Sequence, residues 1–396
     1  MTLKKIAILS PTLSTNAVGR AYLLAKLLQD NYSVNIIGPG NLEDIWPPII
    51  DDQSIEFSSY DCNSINDLLS RSIYKIDGIK DCDLIYAVKP LLCSYGLGLL
   101  SKYKFKCPLL LDIDDWEIGF LSDHWRWELQ IGLKSWLTSV SSPLYVRLLD
   151  RMTRFADGIT VSNSFLQAKF GGYWIPHARD ERLFQNKSDT EFDNELNVMF
   201  LGTPRAHKGL DVLLSAWRNV KCPNARLKII GISEDSDIFR SLLSVADSRT
   251  ILEGHVPISE LPNILSKASI IVIPQLAERG AVGQLPAKLI DAMASGKPII
   301  STSVGDIPNW LSNDSGIVVP PGNIDALTMA INDLLDNSNK RYLMGKRAKE
   351  RFIKYGSYNV VRPRLVAYVE SIISGNKFDI IPADSFAKSF TDDCTV

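Results

Sequence analysis

Arg205 and Lys208 stand three residues apart in the segment Phe200-Leu201-Gly202-Thr203-Pro204-Arg205-Ala206-His207-Lys208-Gly209-Leu210. An apolar strand pattern precedes them and a helical pattern, Leu210 to Val220, follows. A turn of this kind offers the unpaired N–H groups of a helix start, a planar guanidinium fork and a compact ammonium to one place, which suits phosphate oxygens. From this turn alone, a solvated basic loop is the plainer alternative.

A second segment narrows the choice. Pro274 to Pro298 reads as a strand end, a turn holding Gly280 and Gly283, a helix from Pro286 to Ser295, and a new strand. Glycines let backbone amides approach a diphosphate, and Lys288 and Asp291, three apart on a helix, share one face. A cation and a ribose-binding carboxylate can then address one ligand.

The amino-terminal half carries Asp112-Ile113-Asp114-Asp115 at the end of a strand. Such carboxylates suit either a divalent ion or a structural or acceptor-facing role, and the second is preferred because Arg205 and Lys208 already supply cations. Gly96-Leu97-Gly98 is only a broken dinucleotide fingerprint and is discounted. His124 is a surface histidine or a sugar contact, and His177 suits a hinge.

These residues need a scaffold. A chain of 396 residues exceeds one ordinary core, so two domains are expected. Strand, helix and strand patterns at Ile6–Ser10, Ala17–Asp30 and Ser33–Gly38 continue with strands at Leu84–Val88, Leu109–Asp112 and Gly158–Ser162. The alternation restarts after a polar segment, at Val198–Leu201, Arg226–Gly231, Ile270–Ile273 and Pro298–Thr302. Parallel sheets covered by helices follow from that rhythm. The expected organisation is an amino-terminal domain over 1–180, a linker over 181–196, and a second domain over 197–356. A helix over 357–375 returns to the first domain, and a polar tail occupies 376–396.

The formal net charge of −2 carries no nucleic-acid signature, and no run of about 18 apolar residues is present to span a membrane. Six scattered cysteines without a C-x-x-C pair fit reduced thiols and a cytoplasmic setting. Trp116, Trp125, Trp127 and Trp136, with the run Lys102-Tyr103-Lys104-Phe105-Lys106, leave peripheral contact with an anionic membrane open beside the ordinary reading of core tryptophans and solvated lysines.

Taken with Gly254, Pro274, Asp291-Ala292-Met293-Ala294-Ser295-Gly296-Lys297-Pro298 and Val304-Gly305, the two turns resemble retaining glycosyltransferase family 4, densely over about Asn197 to Phe352 and loosely before. The resemblance implies a GT-B fold, two Rossmann-like α/β domains with parallel sheets facing an interdomain cleft. It further implies a metal-independent transferase without cofactor, whose partners are a UDP- or GDP-sugar donor and a glycan, lipid-linked or small-molecule acceptor. Arg205 and Lys208 would hold the departing diphosphate, with Gly202, Lys288 and Leu289 lining the donor site and Asp291, where the family has glutamate, gripping the ribose. Gly19 and Arg20 would fall in a loop near the transferred sugar, with an ordinary solvent-facing loop arginine equally open for Arg20, and Asp114 near the family's histidine position. The family's first glutamate is replaced by Gly283, so Glu278 is either its substitute or a solvated loop residue. A sugar-nucleotide epimerase and a non-catalytic nucleotide-sugar-binding module are the rival readings.

Overall fold

The computed structural model describes residues 3–69, 76, 78–121, 135, 139–184, 196–232 and 236–379. The chain forms two compact units: one runs to His177 and resumes at Val361, and the other spans Ala178–Val360. The long helix Tyr358–Ser374 carries the chain from the second unit back into the first.

The first unit holds a seven-stranded parallel sheet, ordered β3-β2-β1-β4-β5-β6-β7. Its strands are β1 (Lys5–Leu9), β2 (Ser33–Pro39), β3 (Glu56–Tyr60), β4 (Leu84–Val88), β5 (Leu109–Ile113), β6 (Gly158–Val161) and β7 (Tyr173–Trp174). Every residue of β4 and β5 is buried. Strands covered by helices on both faces are mostly apolar, which is why they stand out as runs rich in Leu, Ile and Val, with buried Asp112 in β5 the polar exception. Helix Val18–Leu28 turns Val18, Ala21, Leu24, Ala25 and Leu28 toward that core. The Tyr368 hydroxyl, from the returning helix, accepts the N–H of Ile159 at 3.1 Å.

The second unit holds a six-stranded parallel sheet, ordered β10-β9-β8-β11-β12-β13. Its strands are β8 (Leu196–Leu201), β9 (Ala225–Ile230), β10 (Thr250–Glu253), β11 (Ile270–Ile273), β12 (Ile299–Thr302) and β13 (Ile317–Val319). Helices Leu210–Trp217 and Ile324–Asp336 pack over one cluster with Phe200, Leu227, Ile229, Val272 and Trp217. In each sheet the strand order reverses direction, at β1/β4 in the first and at β8/β11 in the second. Open parallel sheets bind ligands beyond the carboxyl ends of strands at such reversals.

Candidate functional site

The loops leaving β8 and β11 are fastened to each other. Gly209 has φ +63°, and a Cβ there would lie 2.0 Å from the carbonyl oxygen of Pro274, so no side chain fits. Beside it the carbonyl of His207 accepts the N–H of Leu276 at 2.7 Å. Gly202, at φ +116°, turns the chain off the end of β8, again a conformation that favours glycine. The short 3-10 turn Ala206–Lys208 then places the Lys208 ammonium back over this turn, where it donates to the carbonyl of Thr203 at 2.6 Å.

Lys288 arrives from the first turn of helix Ala287–Ala294. Its Nζ lies 4.3 Å from the ring centre of Phe200 on β8, is shielded from solvent, and has no hydrogen-bond partner among the described residues. Burial, and then the charge of Lys208, hold its pKa well below the ordinary lysine value. The aromatic face offsets part of the desolvation, and an anion would offset far more. Arg205 is exposed at the start of the 3-10 turn, on the same loop.

Asp291 has a different partner. Its carboxylate is buried and takes a two-point contact from Arg179, Oδ1 to Nε at 2.5 Å and Oδ2 to Nη2 at 3.1 Å. Burial raises the carboxyl pKa while Arg179 opposes the rise. The expected pairing of Lys288 and Asp291 toward one face is therefore divided, the lysine turning to Phe200 and the aspartate to Arg179. Each Asp291 oxygen retains a second lone pair for a ligand hydroxyl.

Two expectations for the neighbouring segment are corrected. Residues Arg279–Val282 form a helical turn, and Gly283 follows it at φ −87° with its N–H donated to the carbonyl of Gly280 at 3.2 Å. The N–H groups of Ala281 and Val282 go to the carbonyl of Glu278, so these amides close the turn and do not cradle an anion. Leu289 is 0% exposed and serves the core. Glu278 is exposed at the head of the turn. Buried Gln275 holds the segment in place, donating to the carbonyl of Ala281 at 3.2 Å and accepting the Thr302 hydroxyl on its own carbonyl at 2.5 Å.

In the first unit, Arg20 is not a ligand contact. Its guanidinium is 1% exposed and is consumed by Asp112, at 2.9 and 2.8 Å, and by the carbonyls of Ile175 and Pro176. The helix position of Arg20, one turn after an exposed loop, gave no hint that it points inward. Gly19 is half-buried, and a Cβ there would touch the Trp46 ring at 3.4 Å. Asp114 is buried in a cluster around Lys89, whose Nζ lies 3.2 Å from Asp114 Oδ1, 2.5 Å from Asp115 Oδ2 and 2.7 Å from Glu117 Oε1. The Asp114 contact lacks hydrogen-bond geometry and is an ion pair only. Burial, opposed by Lys89 and helped by Asp115, pushes the Asp114 carboxyl up to about 7. Among the described residues no group of three or more His, Cys, Asp or Glu side chains is arranged to hold a metal ion. His124 lies outside the described residues.

Sequence reasoning missed Lys89, Arg179 and Gln275. A lysine directly after the buried strand run Leu84–Val88 was the available signal for the first.

Residues 195–337 match the glycosyl transferases group 1 family, a stretch that includes Gly202, Arg205, Lys208 and Lys288. A mannosyltransferase of Mycolicibacterium hassiacum, the MMP alpha-(1->4)-mannosyltransferase, is 26% identical over 300 residues, covering 70% of this chain and 69% of the relative. Other curated relatives are matched over about half their length, 48% and 44% in two cases. Among solved structures, sucrose-phosphate synthase from Thermosynechococcus elongatus is similar with TM-score 0.73 at 16% identity, covering 94% of this chain and 100% of that one. Anabaena HepE in complex with UDP-glucose gives TM-score 0.72 at 14% identity, over 93% and 99% of the two chains. The fold is GT-B.

Proposed function

We propose that the chain transfers a sugar from a nucleotide-diphosphate donor, UDP- or GDP-linked, to an acceptor hydroxyl with retention of anomeric configuration and without a metal. One observation carries the reading: at the β8/β11 reversal a buried ammonium, Lys288, has no anionic partner among the described residues and stands beside a second one, Lys208. Leaving a buried cation uncompensated is costly, and a diphosphate supplies what is missing.

Lys208, Lys288 and Arg205 neutralise the charge that builds on the diphosphate as the glycosidic bond breaks. The acceptor proton passes to a phosphate oxygen of the leaving group, so no protein base is required. Asp291, held by Arg179, accepts the ribose hydroxyls on its remaining lone pairs. Glu278 takes the place of the acid absent at Gly283 and touches the transferred sugar, its exposure leaving it able to turn toward a ligand. The first unit recognises the acceptor. Exposed Tyr103 and Phe155, bridged by the Lys102 ammonium that donates to the Phe155 carbonyl at 2.9 Å and flanked by Lys106 and Arg154, support contact with an anionic membrane and thus a lipid-linked acceptor. No described helix is long and apolar enough to cross a membrane.

The deciding experiment incubates the protein with a panel of nucleotide sugars, with and without glycan and lipid-linked acceptors, and identifies products by NMR. An α-glycoside from an α-linked donor is the expected result. Conversion of the nucleotide sugar without any acceptor identifies an epimerase instead, and tight nucleotide binding without any product identifies a binding module.

A further inference from the structure

Four of the six cysteines, scattered in the sequence, stand as two facing pairs in the first unit. The Sγ atoms of Cys62 and Cys93 are 3.6 Å apart, and so are those of Cys82 and Cys107. This is contact between two sulfur atoms, longer than a disulfide bond of about 2.05 Å and close enough for one to form after a small side-chain rotation. The pairs occupy opposite ends of the sheet. Cys82 and Cys107 precede the adjacent strands β4 and β5, while Cys62 follows the edge strand β3 and Cys93 lies in the turn Leu92–Gly96 after β4. Between β3 and β4 lie β2 and β1, so the Cys62–Cys93 pair reaches over the carboxyl end of two strands. Tyr60 already ties the same places together, its hydroxyl donating to the carbonyl of Cys93 at 2.7 Å.

We propose that these pairs are sites of reversible oxidation by hydrogen peroxide, which converts them to two intramolecular disulfides, Cys62–Cys93 and Cys82–Cys107. One thiolate of a pair attacks a peroxide oxygen, the O–O bond breaks, and the departing hydroxide takes up a proton to become water. The sulfenic acid so formed is attacked by the facing sulfur; the S–O bond breaks, a second water leaves, and the S–S bond closes. Two thiols are oxidised by two electrons in all, and one peroxide is reduced. The hydrogen bond from Cys93 pulls the Cys62 thiol below its ordinary pKa, and Cys82 does the same for Cys107, so the attacking sulfurs are Cys62 and Cys107. Cys62, Cys93 and Cys107 are under 9% exposed, which favours a small oxidant over a bulky disulfide. Cys82 is half-buried and gives access to its pair.

Each bridge closes a long loop, with sequence separations of 31 and 25 residues, and removes freedom from the unfolded chain. The full-length protein is treated with hydrogen peroxide, alkylated, digested without reductant and mapped by mass spectrometry, with Cys222 of the second unit as the internal control. The expected result is a pair of cross-linked peptides, 62 to 93 and 82 to 107, that disappear on reduction while Cys222 stays alkylated. Melting temperature should rise by roughly 5 to 10 °C on oxidation and return with dithiothreitol. Cys93→Ser should lose only the first link and Cys107→Ser only the second; Cys62→Ala and Cys82→Ala serve if either serine variant does not fold. Unlinked sulfinic acids at these positions, links that involve Cys222, or four thiols that remain alkylatable overturn the proposal. A single link overturns it for the pair that fails to form.

Discussion

Both sheets reverse their strand order next to a lysine, and the two lysines live under opposite electrostatics. At the β1/β4 reversal, Lys89 is surrounded by three carboxylates, which raise its pKa well above the ordinary value despite burial. At the β8/β11 reversal, Lys288 meets an aromatic ring and another lysine, and its pKa falls. The same topology thus carries one site that has satisfied itself and one that has not. A self-satisfied cluster stabilises the fold and has little left to offer a diphosphate, whereas an unsatisfied buried cation is what the proposed donor site requires.

The sharpest way to break this contrast is to remove each lysine in turn. Lys89→Met strands three carboxylates around an apolar side chain and should cost about 3 kcal/mol of stability or more, read by denaturant unfolding. Should Lys89→Met be neutral, the first cluster is not the structural clamp described here. Lys208→Ala and Lys288→Ala should each lower kcat/KM for the best donor by on the order of a hundredfold, measured by initial rates. Comparable activity in both variants removes the charge clamp from the mechanism.

A smaller effect has the opposite sign in the second unit. Lys288→Met replaces an unpaired buried cation with an apolar chain of similar length, so the unliganded protein should melt a few degrees higher, as followed by calorimetry. The wild-type lysine also fixes a pH dependence. Below its depressed folded-state pKa both folded and unfolded chains hold the proton; between that value and about 10.4 the unfolded chain holds more protons, so stability rises with pH there. In Lys288→Met that rise should vanish.

Asp114 gives the reverse slope. Its carboxyl, at about 7 when folded against 3.8 ordinarily, holds a proton that the unfolded chain has released, so its contribution to stability is full below 3.8 and is lost as pH climbs through 7. Asp114→Asn should flatten the decline over that window in urea titrations at successive pH values. The smallest effect is expected at Glu278. Glu278→Gln should raise KM for the sugar donor by about tenfold or less and leave affinity for the free nucleoside diphosphate unchanged; an equal loss for both ligands places Glu278 at the phosphates instead.

Much of the scaffold was legible because buried parallel strands are apolar on both faces. The expected runs at Leu84–Val88 and Ile270–Ile273 are strands β4 and β11 residue for residue. Less visible were β3, whose sequence Glu56-Phe57-Ser58-Ser59-Tyr60 is polar and half-exposed, and β7, only two residues long. Such edge strands lack the pattern that burial writes into a central one. The turn after β8 was readable as a strand-to-helix turn because strand, glycine, cation and helix follow one another locally. Arg179 and Asp291 lie 112 residues apart, and Cys62 and Cys93 lie 31 apart, so their pairing belongs to topology, on which spacing is silent. The glycine at 283 misled for a related reason: composition reveals that a backbone can approach a ligand, not that its amide is already donated to the preceding helical turn.

Isothermal titration of UDP and GDP in buffers of differing ionisation enthalpy tests the central claim most directly, run from pH 7 to 10 on the wild-type protein and on Lys288→Met. A diphosphate settling beside Lys288 should restore its ammonium, so wild-type binding should take up a proton below the ordinary lysine pKa, and the variant should bind far more weakly with no linked uptake. Equal affinity and equal proton uptake in the two proteins would contradict the account.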